Sequence, residues 1–413
     1  MPRRRVVITG VGALCALGSR ATDIWAAALA GRSGGAPITR FDPSQISCHI
    51  ACEIRDFDGA ALFGRDAKKL DLFSQYALVA ADEAVRDSGL DFDREDPTRC
   101  GVITGSGLGG LNEIERQHRV MLERGARRIS PHFVPKLMIN AMAGQISIRY
   151  GLRGPNFITA SACASASHAI GLAFRSVRDA ESDVVVSGGS EATITELAMG
   201  GFANMKAMST RNDDPEGASR PFDRDRDGFV MGEGGGMVIL EELEHARARD
   251  ASIYAEIKGF GMTADAHHIT APTPGGEGPA QAMQEALRDG QADLERVNYI
   301  NAHGTSTPLN DAAETRAIRT VFGDHADRLC VSSTKSMVGH LLGGSGGVEV
   351  VLNALMIRDG SIHPTINYET PDPECDLDYV PNEARKLRVD PSLNHSLGFG
   401  GHNVSLLLAR VDG

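Results

Sequence analysis

The sequence predicts an α/β protein made of two similar halves, residues 1–250 and residues 251–413. Short apolar runs typical of buried strands alternate along the chain with segments whose apolar residues recur at helical spacing. A weak internal repeat suggests the two halves, because residues 81–87 (ADEAVRD) resemble residues 282–289 (AMQEALRD). With 47 glycines and only 5% aromatic residues, the composition favours helices packed closely on a sheet over an aromatic-rich β-sandwich.

The individual elements follow from the apolar spacing and from the positions of glycine and proline. In the first half, strands are predicted at residues 5–12, 101–104, 156–159, 183–187 and 237–241, and helices at 23–30, 71–88, 164–178 and 243–249. In the second half, strands are predicted at 253–260, 299–302, 330–333 and 404–408, and helices at 278–288, 311–321 and 347–357. The remaining stretches predict surface loop with short strands at 32–60, helical segments broken at Pro131 and Pro135, and charged loop at 205–235.

The overall charge and the cysteine pattern restrict the class of protein. A net charge of −12 argues against nucleic acid as the main ligand and leaves room for a local basic patch facing an acidic partner. The seven cysteines are odd in number and irregularly spaced, which predicts no disulfide framework. The N-terminal apolar run is too short for a signal peptide, and no apolar run is long enough to span a membrane. We therefore expect a soluble, reduced, cytoplasmic protein with no membrane partner.

The most informative cysteine is Cys163, within residues 159–170 (TASACASASHAI). It lies on a predicted turn between a strand and a helix, among small residues that keep the turn compact and open. Unpaired N–H groups and the dipole at a helix N-terminus favour a thiolate, so such a position can lower a cysteine pKa. From this segment alone, a nucleophile and a buried structural cysteine are both possible.

Two histidine loops follow predicted strands in the second half. His303 lies in residues 301–308 (NAHGTSTP) and His340 in residues 334–340 (TKSMVGH), where α/β proteins commonly bind ligands. If both loops meet Cys163, one thiol and two imidazoles suit acyl-thioester chemistry. Zinc binding is the alternative, but these residues lack the spacing of a ligand pair.

A glycine-rich turn around one aromatic residue, Phe399, precedes the last predicted strand. The turn (GFGG, 398–401) suggests a movable flap or backbone N–H donors of an oxyanion hole. A tight turn with a core phenylalanine is the alternative.

Two other motifs resemble ligand sites but lack essential parts. Residues 105–110 (GSGLGG) match the dinucleotide-binding pattern, yet no strand ending in an acid follows, so a tight turn lining a pocket is predicted. Asp223 begins a calcium-loop-like run, but the twelfth position is Gly234 rather than glutamate, so the prediction is a charged surface loop or a loop ordered by arginine–carboxylate pairs. Cys48 and Cys52 have no second ligand pair, and no metal is expected.

The Cys163 turn, the His303 loop, Lys335 with His340, and the Phe399 turn occur in an order that resembles the β-ketoacyl-acyl-carrier-protein synthases, condensing enzymes of the thiolase superfamily. The similarity is greatest to the synthase II type and covers essentially the whole chain. Further matching stretches are VVITGVG (6–12), MSTRN (208–212), SRPFD (219–223) and DGFVMG (227–232). The resemblance implies a five-layered α-β-α-β-α duplication, a dimer, and no cofactor beyond the phosphopantetheine of the acyl carrier protein.

The resemblance also implies roles for the central residues. Cys163 would carry the acyl group, and His303 and His340 would bind the malonyl thioester and stabilise the enolate formed by decarboxylation. The backbone N–H groups of Cys163 and Phe399 would form the oxyanion hole, and Phe399 would gate malonyl entry. Lys335, together with the structural residue Glu314, would orient the histidine loops and tune their charge.

Further positions are implied for binding. Thr305 and Thr307 would bind the phosphopantetheine arm, and Thr270 would also contact substrate. Leu108 would lie by the acyl channel, and Phe133 would complete the pocket of the partner chain. A basic docking patch for the acidic carrier protein is implied at Arg65, Lys68, Lys69, Arg127, Arg128 and Lys206.

Several residues depart from the usual family pattern. His402 and Leu397 lie next to the Phe399 turn, Ala166 stands where a glycine is common on the helix after Cys163, and residues 343–347 (GGSGG) are unusually rich in glycine. They leave the preferred acyl chain length and saturation open.

The pathway is also open at this point. Fatty-acid elongation by a homodimer is one interpretation, and the ketosynthase subunit of a type II polyketide synthase, paired with a chain-length factor, is the alternative. Cys163 argues against a catalytically silent chain-length partner. His303 and His340, in place of a second active-site cysteine, argue against a degradative thiolase.

Overall fold

A computed structural model describes residues 3–411. The first two residues of the predicted first half and the last two of the predicted second half lie outside this range. Within that range the strands are β1 Val6–Leu14, β2 Ala36–Pro37, β3 Ile50–Ala51, β4 Cys100–Gly105, β5 Asn156–Thr159, β6 Val184–Glu191, β7 Gly234–Glu242, β8 Ala255–Ala264, β9 Tyr299–Asn301, β10 Cys330–Ser332, β11 Ser361–Ile362, β12 Arg385–Lys386, β13 Ser392–Gly398 and β14 His402–Ala409. The α-helices are α1 Ala21–Leu29, α2 Gly59–Phe63, α3 Leu72–Ser88, α4 Leu111–Arg124, α5 Phe133–Leu137, α6 Ala141–Tyr150, α7 Ser165–Arg178, α8 Glu196–Asn204, α9 Leu243–Ala248, α10 Glu277–Asp289, α11 Pro308–Phe322, α12 Lys335–Val338 and α13 Ser345–Asp359.

The strand order contains the predicted duplication. Ten strands pair in the order β10-β9-β13-β14-β8-β1-β7-β6-β4-β5, which reads symmetrically about the β1–β8 pair. The three outer strands on each side run parallel to one another, and the inner neighbours are antiparallel. β1 and β8 join the two halves as an antiparallel pair, with Val6 opposite Ile257. Each half therefore contributes five strands in the same arrangement.

Helices and strand halves stack in five layers. α7 and α13 pack between the two halves of the sheet, α3 covers β1 and β7, and α10 covers β8 and β14. Three apolar cores fill the spaces between these layers: one around the central helices, one beneath α3, and one beneath α10 and α11. α13 is buried on almost every side, because it lies in the central layer.

Glycines allow the outer helices to approach the central strands, and they do so in both halves. A Cβ on Gly12 of β1 would lie 2.1 Å from the carbonyl oxygen of Ala80 in α3. A Cβ on Gly261 of β8 would lie 2.0 Å from the carbonyl oxygen of Ala282 in α10. Only glycine fits at either contact, so the repeat in the sequence corresponds to a repeated packing arrangement.

In each half, the same repeat also supplies a hydrogen bond from a central strand to the helix that covers it. Asp87, at the end of α3, accepts a hydrogen bond from the N–H of Val11 at 2.9 Å. Asp289, at the end of α10, accepts one from the N–H of Phe260 at 3.2 Å. The last residue of each repeat, Asp87 or Asp289, therefore joins the end of a helix to the backbone of a strand in the same way.

Two predictions about local structure are wrong. β5 is not a buried strand: it lies at one edge of the sheet, pairs with β4 alone, and leaves Phe157 41% exposed. An apolar run does not reveal which of its faces a neighbour covers. Pro135 does not break a helix either, because it lies in the first turn of α5, where its missing N–H has no intrahelical partner to lose.

The segment predicted as surface loop at residues 32–60 contains the short strands β2 and β3, as expected, but part of it is buried. Cys48, Ile50 and Cys52 pack in a cluster that also contains Cys163. The segment thus forms one wall of the interior around the predicted nucleophile.

We predict that Gly261→Ala lowers the stability of the protein, because the added methyl group would overlap the Ala282 carbonyl. The expected loss in the free energy of unfolding is about 1–3 kcal/mol, typical of an overpacked core. Gly144→Ala, inside α6, is the matched control: it adds the same methyl group with no heavy atom within 4 Å, and alanine is about 0.5–1 kcal/mol better than glycine inside a helix. Thermal and urea unfolding of both variants would test this, and equal stabilities would contradict the packing argument.

Candidate active site

Cys163 lies on a tightly bonded turn between β5 and α7. Ala162, just before it, adopts a left-handed conformation with φ of 50°. The Ser165 hydroxyl accepts a hydrogen bond from the N–H of Ser161 at 2.9 Å and donates one to the carbonyl oxygen of Ala162 at 2.7 Å. These bonds fix the turn, so the small residues of this segment place the cysteine next to the N-terminus of α7, as predicted.

The thiol is less acidic than the sequence suggests. Cys163 is 8% exposed, and burial raises its pKa to about 12. The Lys335 ammonium and the backbone N–H groups of Phe399 and Cys163 lower the pKa in part, whereas the Glu191 carboxylate raises it. The expectation of a lowered pKa is therefore wrong for the resting protein, because the loss of water outweighs the helix terminus.

The glycine turn around Phe399 packs directly on the cysteine turn. A Cβ on Gly398 would lie 2.7 Å from the carbonyl oxygen of Ser161 and 3.3 Å from the nitrogen of Cys163. Gly400 and Gly401 both have positive φ angles, 88° and 73°, which favour glycine. The turn thus brings the N–H of Phe399 to the Cys163 thiol beside the thiol's own backbone N–H.

His303 and His340 converge on the same cavity. Their ring centroids are 5.4 Å apart with the rings nearly perpendicular, and both side chains are 3% exposed. The Lys335 ammonium, which can only donate, lies 3.4 Å from Nδ1 of His303. The N–H of Leu342 donates to Nδ1 of His340 at 3.3 Å. Nδ1 is therefore an acceptor in both rings, and each neutral imidazole carries its proton on Nε2.

Both imidazoles are neutral at ordinary pH. Burial is the main cause that holds the pKa of His303 and His340 well below the usual range, and the nearby Lys335 ammonium adds to it. Two neutral Nε2–H groups can donate hydrogen bonds to a developing oxyanion without transferring a proton.

Lys335 and Glu314 hold the His303 loop from opposite sides. Lys335, 1% exposed, donates from Nζ to the carbonyl oxygen of His303 at 2.7 Å and forms an ion pair with Glu349. Glu314 accepts hydrogen bonds from the N–H of His303 at 2.7 Å and of Gly304 at 2.8 Å. Lys335 and Glu314 thus both contact the His303 loop, and the carboxylate that pairs directly with Lys335 is Glu349, which α13 carries into the central layer.

The threonines of this loop face the cavity. Thr305 and Thr307 line it, and their hydroxyl oxygens are 2.9 Å apart. The N–H of Thr305 donates to Asp311 at 3.1 Å, and burial raises the pKa of Asp311 to about 6. Ser306, between the threonines, has a φ of 68°, so the loop follows a path that turns both hydroxyls toward the cavity.

The cavity has a volume of about 380 Å³ and joins most of the predicted site. Of the predicted residues, it is lined by Cys163, His303, His340, Phe399, Thr270, Thr305, Thr307 and Lys206. Leu108 and Phe133 do not line it: Leu108 is 42% exposed, and Phe133 is half-buried at the start of α5. Their expected roles at an acyl channel and a partner's pocket stay predictions.

The glycine-rich loop after β4 encloses an internal carboxylate. Glu191 accepts hydrogen bonds from the N–H groups of Gly107 at 2.6 Å, Leu108 at 3.1 Å and Gly109 at 3.1 Å, and from the Ser106 hydroxyl at 2.9 Å. The donors that a nucleotide phosphate would need are therefore already occupied. The tight turn predicted here is confirmed, although it does not line the Cys163 cavity.

The calcium-like loop is ordered by arginine–carboxylate pairs, which is the second of the two predicted alternatives. Arg226 pairs with Asp372 and lies 3.7 Å from Asp311, and Arg220 lies 3.6 Å from Asp223. All of these groups are largely buried, so the loop forms a fixed wall beside the Thr305 segment.

The basic residues of the predicted docking patch are all exposed. Lys206 is at the cavity itself, whereas Lys69 forms a surface ion pair with Asp66 at 2.7 Å. Such an exposed pair contributes little stability, so the lysine stays available to a partner.

Sequence reasoning missed three buried groups near the site: Glu191, Glu349 and His395. A signal existed for Glu349, which is a lone acid in the apolar run GVEVV, because a charge buried in a helix needs a partner. Glu191 is the last residue of β6, and the end of a strand is also a place where functional acids occur. No comparable signal marked His395.

Comparisons with known proteins agree with this geometry. The model of the β-ketoacyl synthase N-terminal domain matches residues 3–246, and that of the C-terminal domain matches residues 254–369. The 3-oxoacyl-acyl-carrier-protein synthase 2 of Coxiella burnetii is 51% identical over 412 residues, covering 100% of both chains. The protein of the same name from Synechocystis is 50% identical over 411 residues, covering 99% of each chain.

Solved structures show the same fold. A β-ketoacyl synthase from Burkholderia phymatum has a TM-score of 0.92 at 38% identity, and the ishigamide ketosynthase/chain length factor has 0.93 at 34%. A type II polyketide synthase acyl-carrier protein in complex with its ketosynthase, bound to the hexaketide, gives 0.93 at 32%. Each covers 99% of this chain and 100% of the other.

The chain belongs to the β-ketoacyl synthase family, and its five-layered duplication is the thiolase-like fold of these ketosynthases. Across residues 3–411, every helix is too short or too polar to cross a bilayer.

We predict that alkylation of Cys163 by iodoacetamide accelerates continuously with pH in the resting protein. The thiolate is the reactive form, and burial raises the thiol pKa to about 12. The rate should therefore rise about tenfold per pH unit between about pH 6 and about pH 9, with no plateau. Peptide mass spectrometry would locate the label, with Cys163→Ser as the control. A plateau below about pH 7 would show an activated thiolate instead.

Proposed function

We propose that this chain is a β-ketoacyl-acyl-carrier-protein synthase that extends a cysteine-bound acyl chain by two carbons. The observation that carries the proposal is the convergence of Cys163, His303, His340 and the N–H of Phe399 on one cavity. The names of the relatives, at about half identity over the full chain, support the same reaction.

In the first step, the Cys163 sulfur attacks the carbonyl carbon of an acyl thioester. The backbone N–H groups of Cys163 and Phe399 bind the developing oxyanion. Collapse of the tetrahedral intermediate breaks the old thioester bond, and the carrier leaves as a thiol with the proton that Cys163 gives up.

In the second step, a malonyl thioester binds with its carbonyl oxygen at the Nε2–H groups of His303 and His340. The bond to the carboxylate breaks, carbon dioxide leaves, and the electron pair forms an enolate that these donors stabilise. The enolate carbon attacks the acyl-cysteine and forms the carbon–carbon bond. The 3-ketoacyl product leaves, and Cys163 departs as a thiolate that regains a proton.

Substrates would arrive on the phosphopantetheine arm of an acyl carrier protein, and no other cofactor is needed. Exposed Lys206 and buried Cys163 line the same cavity, and Thr305 and Thr307 would offer their hydroxyls to the arm there. Exposed Arg65, Lys68, Lys69, Arg127, Arg128 and Lys206 would bind the acidic carrier. We place the reaction in the cytoplasm, in keeping with seven unpaired cysteines.

We further propose that two copies of the chain associate through the edge of the sheet at β5. Its outer edge is unpaired in the described chain, and Phe157 is exposed. Exposed apolar side chains on α4, on α5 and just after α5 offer further apolar surface for such a contact: Ile114, Met121, Leu122, Val134 and Met138. A chain-length factor could cover the same edge in a polyketide system.

Fatty-acid elongation is the favoured pathway. The relatives named 3-oxoacyl-acyl-carrier-protein synthase 2 are 49–51% identical to the chain, whereas the structures from polyketide systems are 32–34% identical. We also propose that the two halves divide near residue 250, in keeping with family models that end at residue 246 and begin at residue 254.

Mass spectrometry of products tests the reaction directly. With malonyl-carrier protein and acyl primers of varied length, the protein should release 3-ketoacyl products two carbons longer than the primer. Cys163→Ala should form no acyl-enzyme. His303→Ala and His340→Ala should still be acylated but should lose about 10²–10³-fold in decarboxylation, as expected for a lost oxyanion donor. Acyl transfer by Cys163→Ala, or equal losses in both steps for the histidine variants, would contradict the assigned roles.

Charge reversal tests the docking patch. Lys68→Glu with Lys69→Glu should raise the KM for acyl carrier protein by roughly tenfold, because like charges then oppose the acidic partner. Turnover of small thioesters should be unchanged. The matched control is Arg94→Glu with Arg288→Glu, at side chains that are 84% and 79% exposed but outside the patch. An unchanged KM in the patch variant, or an equal rise in the control, would rule out docking there.

A further inference from the structure

His402, which the sequence singles out beside the Phe399 turn, is not used by the proposed mechanism. It is the first residue of β14 and pairs with Gly398 on the neighbouring strand β13. The next residue, Asn403, lines the Cys163 cavity, whereas His402 does not. Because successive side chains of a strand point to opposite faces, the imidazole of His402 lies on the side of the turn that faces away from the cavity.

The ring of His402 fills the space that a side chain at Gly400, the third residue of the turn, would occupy. Gly400 has a φ of 88°, and a Cβ there would lie 3.0 Å from Nε2 and 3.1 Å from Cδ2 of the imidazole. The N–H of Gly400 also donates to the carbonyl oxygen of Ile269 at 2.7 Å. Glycine has more backbone freedom than any other residue, so a turn with three glycines needs such outside contacts to keep one position.

A second imidazole, that of His168 on α7, lies against the first. The ring centroids of His402 and His168 are 6.1 Å apart, and the rings meet edge to face at 85°. His168 also meets Phe260 edge to face, with the centroids 6.4 Å apart at 89°. Burial, with a smaller contribution from His402, lowers the pKa of His168 to about 4, so this ring is neutral at ordinary pH. Packed against Phe260 as well, His168 offers His402 a fixed surface.

His168 is in turn bonded to the turn that carries Cys163. Its Nδ1 lies 2.7 Å from the hydroxyl oxygen of Ser161, two residues before the cysteine. Contacts therefore continue from Gly400 through both imidazoles to the Cys163 turn. This route is separate from the direct contact between Gly398 and the carbonyl oxygen of Ser161.

We propose that His402 is a positioning residue for the oxyanion hole, which holds the Phe399 turn against His168 and so keeps the N–H of Phe399 at the Cys163 thiol. The observation that carries this inference is the ring of His402, which contacts the turn on one side and His168 on the other. The role depends on the shape and contacts of the ring and not on its charge. This inference rests on the proposed function, because the position of the Phe399 N–H matters only if it binds the oxyanion of an acyl thioester.

The consequence is selective for chemistry at the thiol. The N–H of Phe399 binds the oxyanion that forms when Cys163 is acylated, whereas malonyl decarboxylation relies on His303 and His340. The His303 loop is held by a different residue, Lys335. Loss of the ring at position 402 should therefore slow acylation far more than decarboxylation, which is the reverse of the pattern expected for His303→Ala. A displacement of about 1 Å in a catalytic group can reduce a rate by about 10²-fold.

Single-turnover kinetics test the positioning role. With saturating acyl-carrier protein, His402→Ala should acylate Cys163 roughly 10-fold to 100-fold more slowly, followed by intact mass. The half-saturating carrier concentration and the rate of malonyl decarboxylation should change less than about twofold. His402→Phe, which puts a flat ring in the same space, should restore most of the lost rate. Equal losses in both steps, or equal acylation rates for His402→Ala and His402→Phe, would overturn the proposal.

His325→Ala is the matched control. His325 is half-buried like His402, and its ring centroid is likewise 6.1 Å from that of an aromatic ring, Phe322, but it does not line the cavity. Acylation by this variant should match the wild type. Thermal unfolding shows whether each variant is folded. If His402→Ala is not, His402→Gln, which also removes the ring, takes its place in every measurement.

A double-mutant cycle tests the route through His168. His168→Ala combined with His402→Ala should slow acylation little more than the more damaging single change, because both interrupt the same path of contacts. Losses that multiply would show that His402 acts without His168 and would overturn this part of the proposal.

Fluorine-19 NMR follows the turn itself without using activity. The chain has 14 phenylalanines, and in protein labelled with fluorophenylalanine the signal of Phe399 can be assigned with Phe399→Leu. That signal should shift or broaden in His402→Ala and stay in place in His325→Ala. An unchanged signal in His402→Ala would show that the turn keeps its position without the ring, and would overturn the proposal.

The two proposals fail in different ways. If the wild-type protein releases no 3-ketoacyl product, the proposed function is wrong, and the fluorine spectrum still decides whether His402 holds the turn. If the wild type is active and His402→Ala retains the wild-type ratio of acylation to decarboxylation, only the inference about His402 is wrong.

Discussion

The buried ion pair between Lys335 and Glu349 is the interaction on which the active site depends. Both side chains are at most 2% exposed, and removing one partner of such a pair typically costs about 3–5 kcal/mol because the other charge stays buried. The same ammonium bonds the His303 carbonyl oxygen. It also lowers the pKa of the Cys163 thiol and of both imidazoles. A single buried cation thus pairs with Glu349, positions the His303 loop and favours the deprotonated form of Cys163, His303 and His340.

A second buried charge acts in the opposite direction. Glu191 is held in place by the N–H groups of the glycine-rich loop after β4, and it raises the pKa of Cys163. Burial adds to this effect, so the resting thiol keeps its proton. A helix terminus alone would both position the cysteine and favour its thiolate. In this structure the cysteine is positioned beside the helix, but the thiol stays protonated because burial and Glu191 raise its pKa.

Much of the fold was accessible from the sequence because its causes are local. Alternating apolar periods located the main strands and helices, and the repeat that includes Asp87 and Asp289 reflects a contact that recurs in both halves. The sequence also indicated Cys163, His303 and His340, since each follows a strand and is flanked by small or hydroxyl residues.

The remaining features depend on long-range neighbours that local patterns do not contain. The exposure of Phe157 depends on what covers the sheet edge, and the pairing of Lys335 with Glu349 rather than Glu314 depends on how α13 lies beside α12. The pKa of Cys163 also depends on distant neighbours. The turn that carries the cysteine was predictable, but the burial that raises the thiol pKa was not.

The duplication has one asymmetry at its centre. Cys163 stands two residues before α7, and the corresponding position before α13 is Gly343. There a Cβ would lie 2.2 Å from the nitrogen of Gly107, so no side chain of any kind fits. One half carries a thiol at this position, and the other packs its backbone against the glycine-rich loop after β4 and against Glu191. A chain with two-fold architecture consequently carries one cysteine–histidine cavity, and neither half alone contains both the thiol and the two imidazoles.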